Sequence, residues 1–161
     1  MDLVSGDGDF TMLVAEERLE TLRLDRLYRA WRDGSSNDRP PDAGFLDPAR
    51  HDYVASMLVV IDVVKDAERQ RFRYRSAGSH FIQHTKVDPS GTYMDQHPEP
   101  AFAELATRAC NLVVETRRPI HARIRRSVDG RPFSVEFLIL PVANSVGSVV
   151  SLLVAQIYTP A

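Results

Sequence analysis

Hydrophobic positions change their spacing several times along the chain, and each change marks an element. From about Thr11 to Asp33, Leu13, Leu24, Leu27, Tyr28 and Trp31 share one stripe, and five Arg and five acidic residues between Glu16 and Asp33 fill much of the remainder. This pattern predicts a long helix, which Gly34 ends. The SSNDRPPDAG run after it is a turn-rich connector, because Pro40 and Pro41 forbid helix or central strand there. Asp47-Pro48 starts a short helix to about Ala55: Asp can cap the free N–H groups, and Pro suits the first helical position.

From Met57 the period falls to two. Met57, Val59, Ile61 and Val63 point one way, and Leu58, Val60, Asp62 and Val64 the other. After the polar turn Lys65–Gln70, Phe72 and Tyr74 alternate with Arg71, Arg73 and Arg75, which completes a hairpin. Gly78–Pro98 is broken by Asp88-Pro89, Gly91 and His97-Pro98 and allows only short helical or turn pieces. A longer helix begins near Glu99, where Phe102, Leu105, Ala109, Leu112, Val113 and Thr116 recur at helical spacing, with Pro119 beyond it. Three strands close the chain at Ile120–Val128, Pro132–Leu140 and Gly147–Tyr158. The Asp129-Gly130 pair between the first two is the strongest hairpin signal present.

The third of these five strands alternates cleanly, with His121, Arg123 and Arg125 outward. The fourth carries Phe133, Val135, Phe137 and Ile139 on one face yet Leu138 and Leu140 on the other, and the fifth is apolar on both. Such a sheet must be covered on both sides. The interior helices can cover one; the Leu24/Leu27/Tyr28/Trp31 stripe is the candidate for the second, in its own chain or in a dimer partner. The organisation expected is a flexible 1–10, an N-terminal helix, connector and short helix over 11–55, and a sheet domain over 56–161.

This element order is that of a PAS domain. The chain resembles the single-domain PAS-like family of alphaproteobacteria through LYRAW (Leu27–Trp31), RPPDAGFLDPA (Arg39–Ala49), MLVVIDVV (Met57–Val64), RFRYRSAGSHF (Arg71–Phe81), DPSGTYMDQ (Asp88–Gln96) and VEFLILPVAN (Val135–Asn144). The resemblance implies an α+β fold: a PAS-like five-stranded antiparallel sheet with short helices, one longer helix and an N-terminal helix. It also implies a cavity between sheet and helices and a sensory or regulatory role, with output through a partner or self-association. It names no ligand.

Composition narrows the chemistry. A chain of 161 residues is the size of one domain. A lone Cys110 excludes an internal disulfide and any zinc site built on several thiolates, and favours a reducing interior. The acidic MDLVSGDGDF start is not a secretory signal, and polar residues interrupt the most apolar stretch, Val142–Tyr158, so a cytoplasmic protein is expected. With 20 basic and 22 acidic residues, net charge −2 creates no general attraction for nucleic acid or anionic membrane.

Candidate sites follow. His80 and His84, four apart, would share a helical face and could approach one metal ion, but Phe81 stands where a hydrolytic HExxH motif needs Glu. Solvent-facing or capping roles therefore lead for both histidines, and no metal site is assigned. Flavin photoadduct chemistry needs a Cys on a short central helix, whereas Cys110 lies in the longer helix. That helix also carries no His for haem, so no cofactor is named and Cys110 reads as a small buried hydrophobe. The wall of a ligand cavity is expected from Phe72, Tyr74, Phe81, Phe102, Leu105, Ala109, Phe133, Val135, Phe137 and Val154; a closed core would use the same residues.

Glu136 and Asp62, acids in apolar strands, should pair with Arg73, Arg123 or Arg125. Six arginines within Arg117–Arg131 read as a solvated face, with anion binding the alternative. Arg39 and Asp47 are candidate clamps or dimer contacts. The function expected is a non-catalytic sensory or regulatory domain. It would hold a small non-covalent ligand, form a homodimer through the N-terminal helix and sheet face, and signal through that dimer or a regulatory protein partner. The alternatives are a closed-core interaction module, a metal or haem sensor, and a small α+β enzyme.

Overall fold

A computed structural model of the chain describes residues 8–12, 18–128 and 130–160. Its centre is an antiparallel sheet in the order β1-β4-β5-β6-β2-β3. The strands are β1 (Gly8–Met12), β2 (Leu58–Asp66), β3 (Arg69–Ala77), β4 (Ile120–Val128), β5 (Arg131–Ala143) and β6 (Val149–Pro160). The five strands from β2 onward form the expected PAS-like sheet, joined by helices α1 (Leu22–Gly34), α2 (Ser79–Thr85) and α3 (Pro100–Thr116). β1 extends that sheet by pairing with the free edge of β4, Gly8 opposite Ile124 and Met12 opposite Ile120.

This pairing corrects the N-terminal reading. Gly8–Phe10 belong to a strand where a flexible tail was expected, and Thr11 and Met12 continue it where a helix was expected. Helical structure begins only at Leu22, and the Leu13 end of the expected stripe lies outside the described residues, as do residues 1–7. An unpaired sheet edge is a strong acceptor of extended chain, and helical spacing in the sequence does not register that competitor. The short helix after Asp47-Pro48 is divided into 3₁₀ turns, Pro48–His51 and Ala55–Met57, with the Asp47 carboxylate accepting from the Ala49 N–H at 3.0 Å.

Both sheet faces are covered, for the reason the strand pattern gave. On the outer face Leu24, Leu27, Tyr28 and Trp31 of α1 join Leu58 and Val60 of β2, Leu138, Leu140 and Val142 of β5, and Leu153 and Ala155 of β6. Each side chain fully buried there contributes roughly 1.5–3 kcal/mol. The α1 stripe is therefore covered within its own chain. Trp31 secures it by donating its indole N–H to the Pro141 carbonyl at 2.8 Å. Pro141 can stand inside β5 because the β4 pairing ends at Ile139, so on that side no neighbouring strand needs its missing N–H. Two residues on, Ala143 N–H turns to the Pro41 carbonyl at 2.8 Å, which ties the proline connector to the sheet.

On the inner face α3 lays Ala109, Cys110 and Val113 against Val59, Ile61, Phe72, Tyr74, Ile120, Ile139 and Val154, with Phe81 of α2 beside them. Leu105 continues the layer onto Ile124, Phe133 and Val135. No helix among the described residues is long and apolar enough to cross a membrane.

Candidate functional site: a cavity between α3 and the sheet

The inner layer is not completely filled. A cavity of about 50 Å³ lies between α3 and the sheet. From α3 it is lined by Phe102, Leu105, Ala106, Ala109 and Cys110, and from the turn before that helix by Met94. The sheet contributes Ile61 and Tyr74 from β2 and β3, Ala122 and Ile124 from β4, Phe137 and Ile139 from β5, and Val154 and Gln156 from β6. Three of the lining side chains, Ala106, Ala109 and Ala122, are small, and larger ones there would help to close the layer.

Six of the ten residues expected as a cavity wall line it: Tyr74, Phe102, Leu105, Ala109, Phe137 and Val154. The other four pack outside it. Phe72 and Phe81 belong to the cluster around Val113 and Ile120, and Phe133 and Val135 to the cluster around Ile124. All ten lie on the inner layer, and alternation alone does not say where along a strand the layer opens. Gln156 escaped attention because a polar residue in an apolar strand reads as an interruption; its same-face spacing from Val154 was the available signal.

Three lining side chains are polar, Tyr74, Cys110 and Gln156. Burial pushes the Cys110 thiol up to about 12 and raises the Tyr74 phenol well above its usual range, so both are neutral at physiological pH. Gln156 accepts a hydrogen bond on Oε1 from the Tyr158 hydroxyl at 2.7 Å. Tyr158 carries the His84 ring stacked on its own at 3.7 Å between centroids, with His80 further off at 5.9 Å. His80 and His84 do share a face of α2, and both contact this aromatic ring. Among the described residues no group of three metal-ligating side chains forms. Desolvation first, then His80 and Lys86, hold the His84 imidazole below its ordinary range.

The charged candidates sit away from the cavity. Glu136, on the outer face of β5, is 6% exposed and takes Arg123 Nη2 at 2.6 Å, with His121 Nε2 at 3.3 Å. Burial alone would raise its pKa, but the His121 imidazole close by and hydrogen bonds from Thr21 and Arg123 lower it to about 2. Thr21, at the α1 N-cap position, makes no side-chain cap bond to its own helix. Asp62 pairs with Arg75, which was not among its expected partners, although Arg73 is its register neighbour. Arg73 lies 3.5 Å from the Gly91 carbonyl, and Arg75 also reaches Ser151. Of the Arg117–Arg131 set, Arg126 lies over the Phe102 ring at 4.1 Å and pairs with Glu99. Arg39 donates to the Ser145 carbonyl at 2.6 Å and so clamps the connector to the β5–β6 turn within the chain.

No protein-family model matches the chain, and a search of curated proteins finds no relative. Among solved structures, an RNA-binding light-oxygen-voltage receptor aligns with a TM-score of 0.49 at 16% identity, over 93% of this chain and 37% of that one. A fungal LOV-domain photoreceptor aligns with a TM-score of 0.46 at 17% identity, over 86% of this chain and 91% of that one. The chain thus spans little more than a third of the first protein's length. Both likenesses are too distant to carry residue roles across.

Proposed function

We propose that this chain is a non-catalytic sensory or regulatory module of PAS-like fold that takes a small molecule into the cavity between α3 and the sheet. The observation that carries this reading is the cavity itself: an apolar chamber with three neutral polar groups on its wall, the usual composition of a small-molecule site. Its chemistry favours binding over catalysis. Cys110 and Tyr74 are kept protonated by burial, and no general base lines the cavity beside them.

In this reading occupancy is passed on in the cytoplasm through self-association or a regulatory protein. The apolar stripe of α1 is already covered, so the surface offered is its outward side, where Leu22 is 81% exposed beside Arg23 and Arg26. Light scattering over a range of concentrations, with and without ligand, tests self-association. A monomer throughout excludes it and leaves a heterologous partner as the route.

The small volume favours a second reading, a closed-core interaction module. At about 10–15 Å³ per water-sized sphere the cavity holds roughly three to five of them. Native mass spectrometry separates the two readings. A co-purifying mass lost on denaturation supports the sensor; repeated absence of one, with no thermal shift across a metabolite panel, supports the closed core.

A further inference from the structure

The chemistry of the cavity wall restricts what can occupy it, and this step rests on the ligand-binding reading above. Gln156 presents a carboxamide whose orientation is decided by Tyr158. The Tyr158 hydroxyl has one hydrogen-bond partner among the described residues, Gln156 Oε1 at 2.7 Å. Were the amide reversed, its nitrogen would donate to the phenol oxygen and leave the phenol proton with no acceptor among the described residues. The hydroxyl therefore donates to Oε1. Burial keeps that phenol protonated, and its ring is held by the stacked His84 and by Phe133 at 6.1 Å.

With its oxygen engaged, Gln156 has only N–H groups left to offer, and its amide nitrogen bonds to no described residue. No cationic side chain lines the cavity. Arg126, which touches the lining Phe102, is ion-paired with Glu99. A carboxylate ligand would thus be buried without a counter-charge, and a pure hydrocarbon would leave the amide N–H without an acceptor.

We propose that the cavity selects a small uncharged molecule bearing one hydrogen-bond acceptor, a carbonyl or ether oxygen, which meets the Gln156 amide N–H while its hydrocarbon part packs on Phe102, Leu105 and Phe137. The volume of about 50 Å³, room for roughly three to five water-sized spheres, limits the ligand to a short chain of about as many non-hydrogen atoms.

Three probes of similar size test this on the full chain: acetone, 2-methylpropene and acetate, titrated while amide NMR shifts around the cavity are followed. Acetone should bind about tenfold more tightly than 2-methylpropene, the worth of one buried hydrogen bond, and acetate should not bind. Gln156→Leu should erase the preference for acetone. Tyr158→Phe, which frees the amide to turn and leaves the lining otherwise intact, should reduce it and serves if Gln156→Leu does not fold. Equal binding of acetone and 2-methylpropene, tight binding of acetate, or a preference that survives both substitutions overturns this inference while leaving a ligand cavity in place. If none of the probes shifts a cavity resonance, the ligand-binding reading fails together with it.

Discussion

At position 136 the chain buries a carboxylate beneath the N-terminal side of α1, and three polar neighbours, His121, Thr21 and Arg123, keep it ionised. Its pKa of about 2 in the folded protein lies below the ordinary value of 4.5, so the unfolded chain binds the proton more tightly. The stabilisation is complete above pH 4.5 and is lost as pH falls toward 2; it amounts to about 3 kcal/mol at most. Urea midpoints measured between pH 7 and 2.5 should therefore fall steeply for the natural chain and more shallowly for Glu136→Gln. Sequence alone indicated that Glu136 needs a basic partner and included Arg123 among the choices. It could not show that His121, displaced diagonally on the next strand, and Thr21, over a hundred residues away, also reach it. Gly78 is a second residue whose role appears only in three dimensions. A Cβ there would lie 2.3 Å from the Ser56 carbonyl oxygen and 2.9 Å from that of Ala55, both backbone atoms. Gly78→Ala should cost at least about 2 kcal/mol in chemical denaturation although its own φ of −72° suits any residue.

Among the elements, α1 illustrates how packing selects from what a periodic pattern allows. Its stripe was readable, because Leu24, Leu27, Tyr28 and Trp31 fall on one face and the strands facing them were apolar on their second side. Its start was not, because Thr11 and Met12 can extend just as well, and the open edge of β4 takes them. Leu27 is fully buried under the sheet. Leu27→Ala should therefore destabilise the whole chain by about 2–5 kcal/mol, read as a lowered denaturation midpoint. The covering of this stripe in its own chain also means that an N-terminal truncation ending at residue 33 should expose the outer sheet face and aggregate. A soluble, well-folded product would show that α1 is dispensable to the core.

For the whole molecule, the consequence of covering both faces is a sheet that serves two cores at once. β5 and β6 contribute to both layers, through Leu138, Leu140 and Leu153 on one side and Ile139, Leu152 and Val154 on the other. The layers should then unfold together, with far-UV circular dichroism and Trp31 fluorescence reporting a single coincident transition. The cavity lies in the inner layer. Ala109→Leu adds carbon atoms directly into it and should abolish small-molecule binding while changing stability by no more than about 1–3 kcal/mol, the ordinary cost of overpacking. Unaltered binding by this variant would place any ligand elsewhere.

The order of strands and helices, the two-sided burial of the last strands and the need for a cover over the second face were all set by the sequence itself. Each follows from local alternation, turn chemistry and the cost of exposing apolar surface, which neighbouring residues determine. The added strand β1, the partners of Asp62 and Glu136, the tight approach at Gly78 and the position of the cavity were decided only by tertiary structure. These depend on which distant side chains share a face and on how their volumes sum across α3 and the sheet, where three alanines from α3 and β4 border an opening that no single segment encodes.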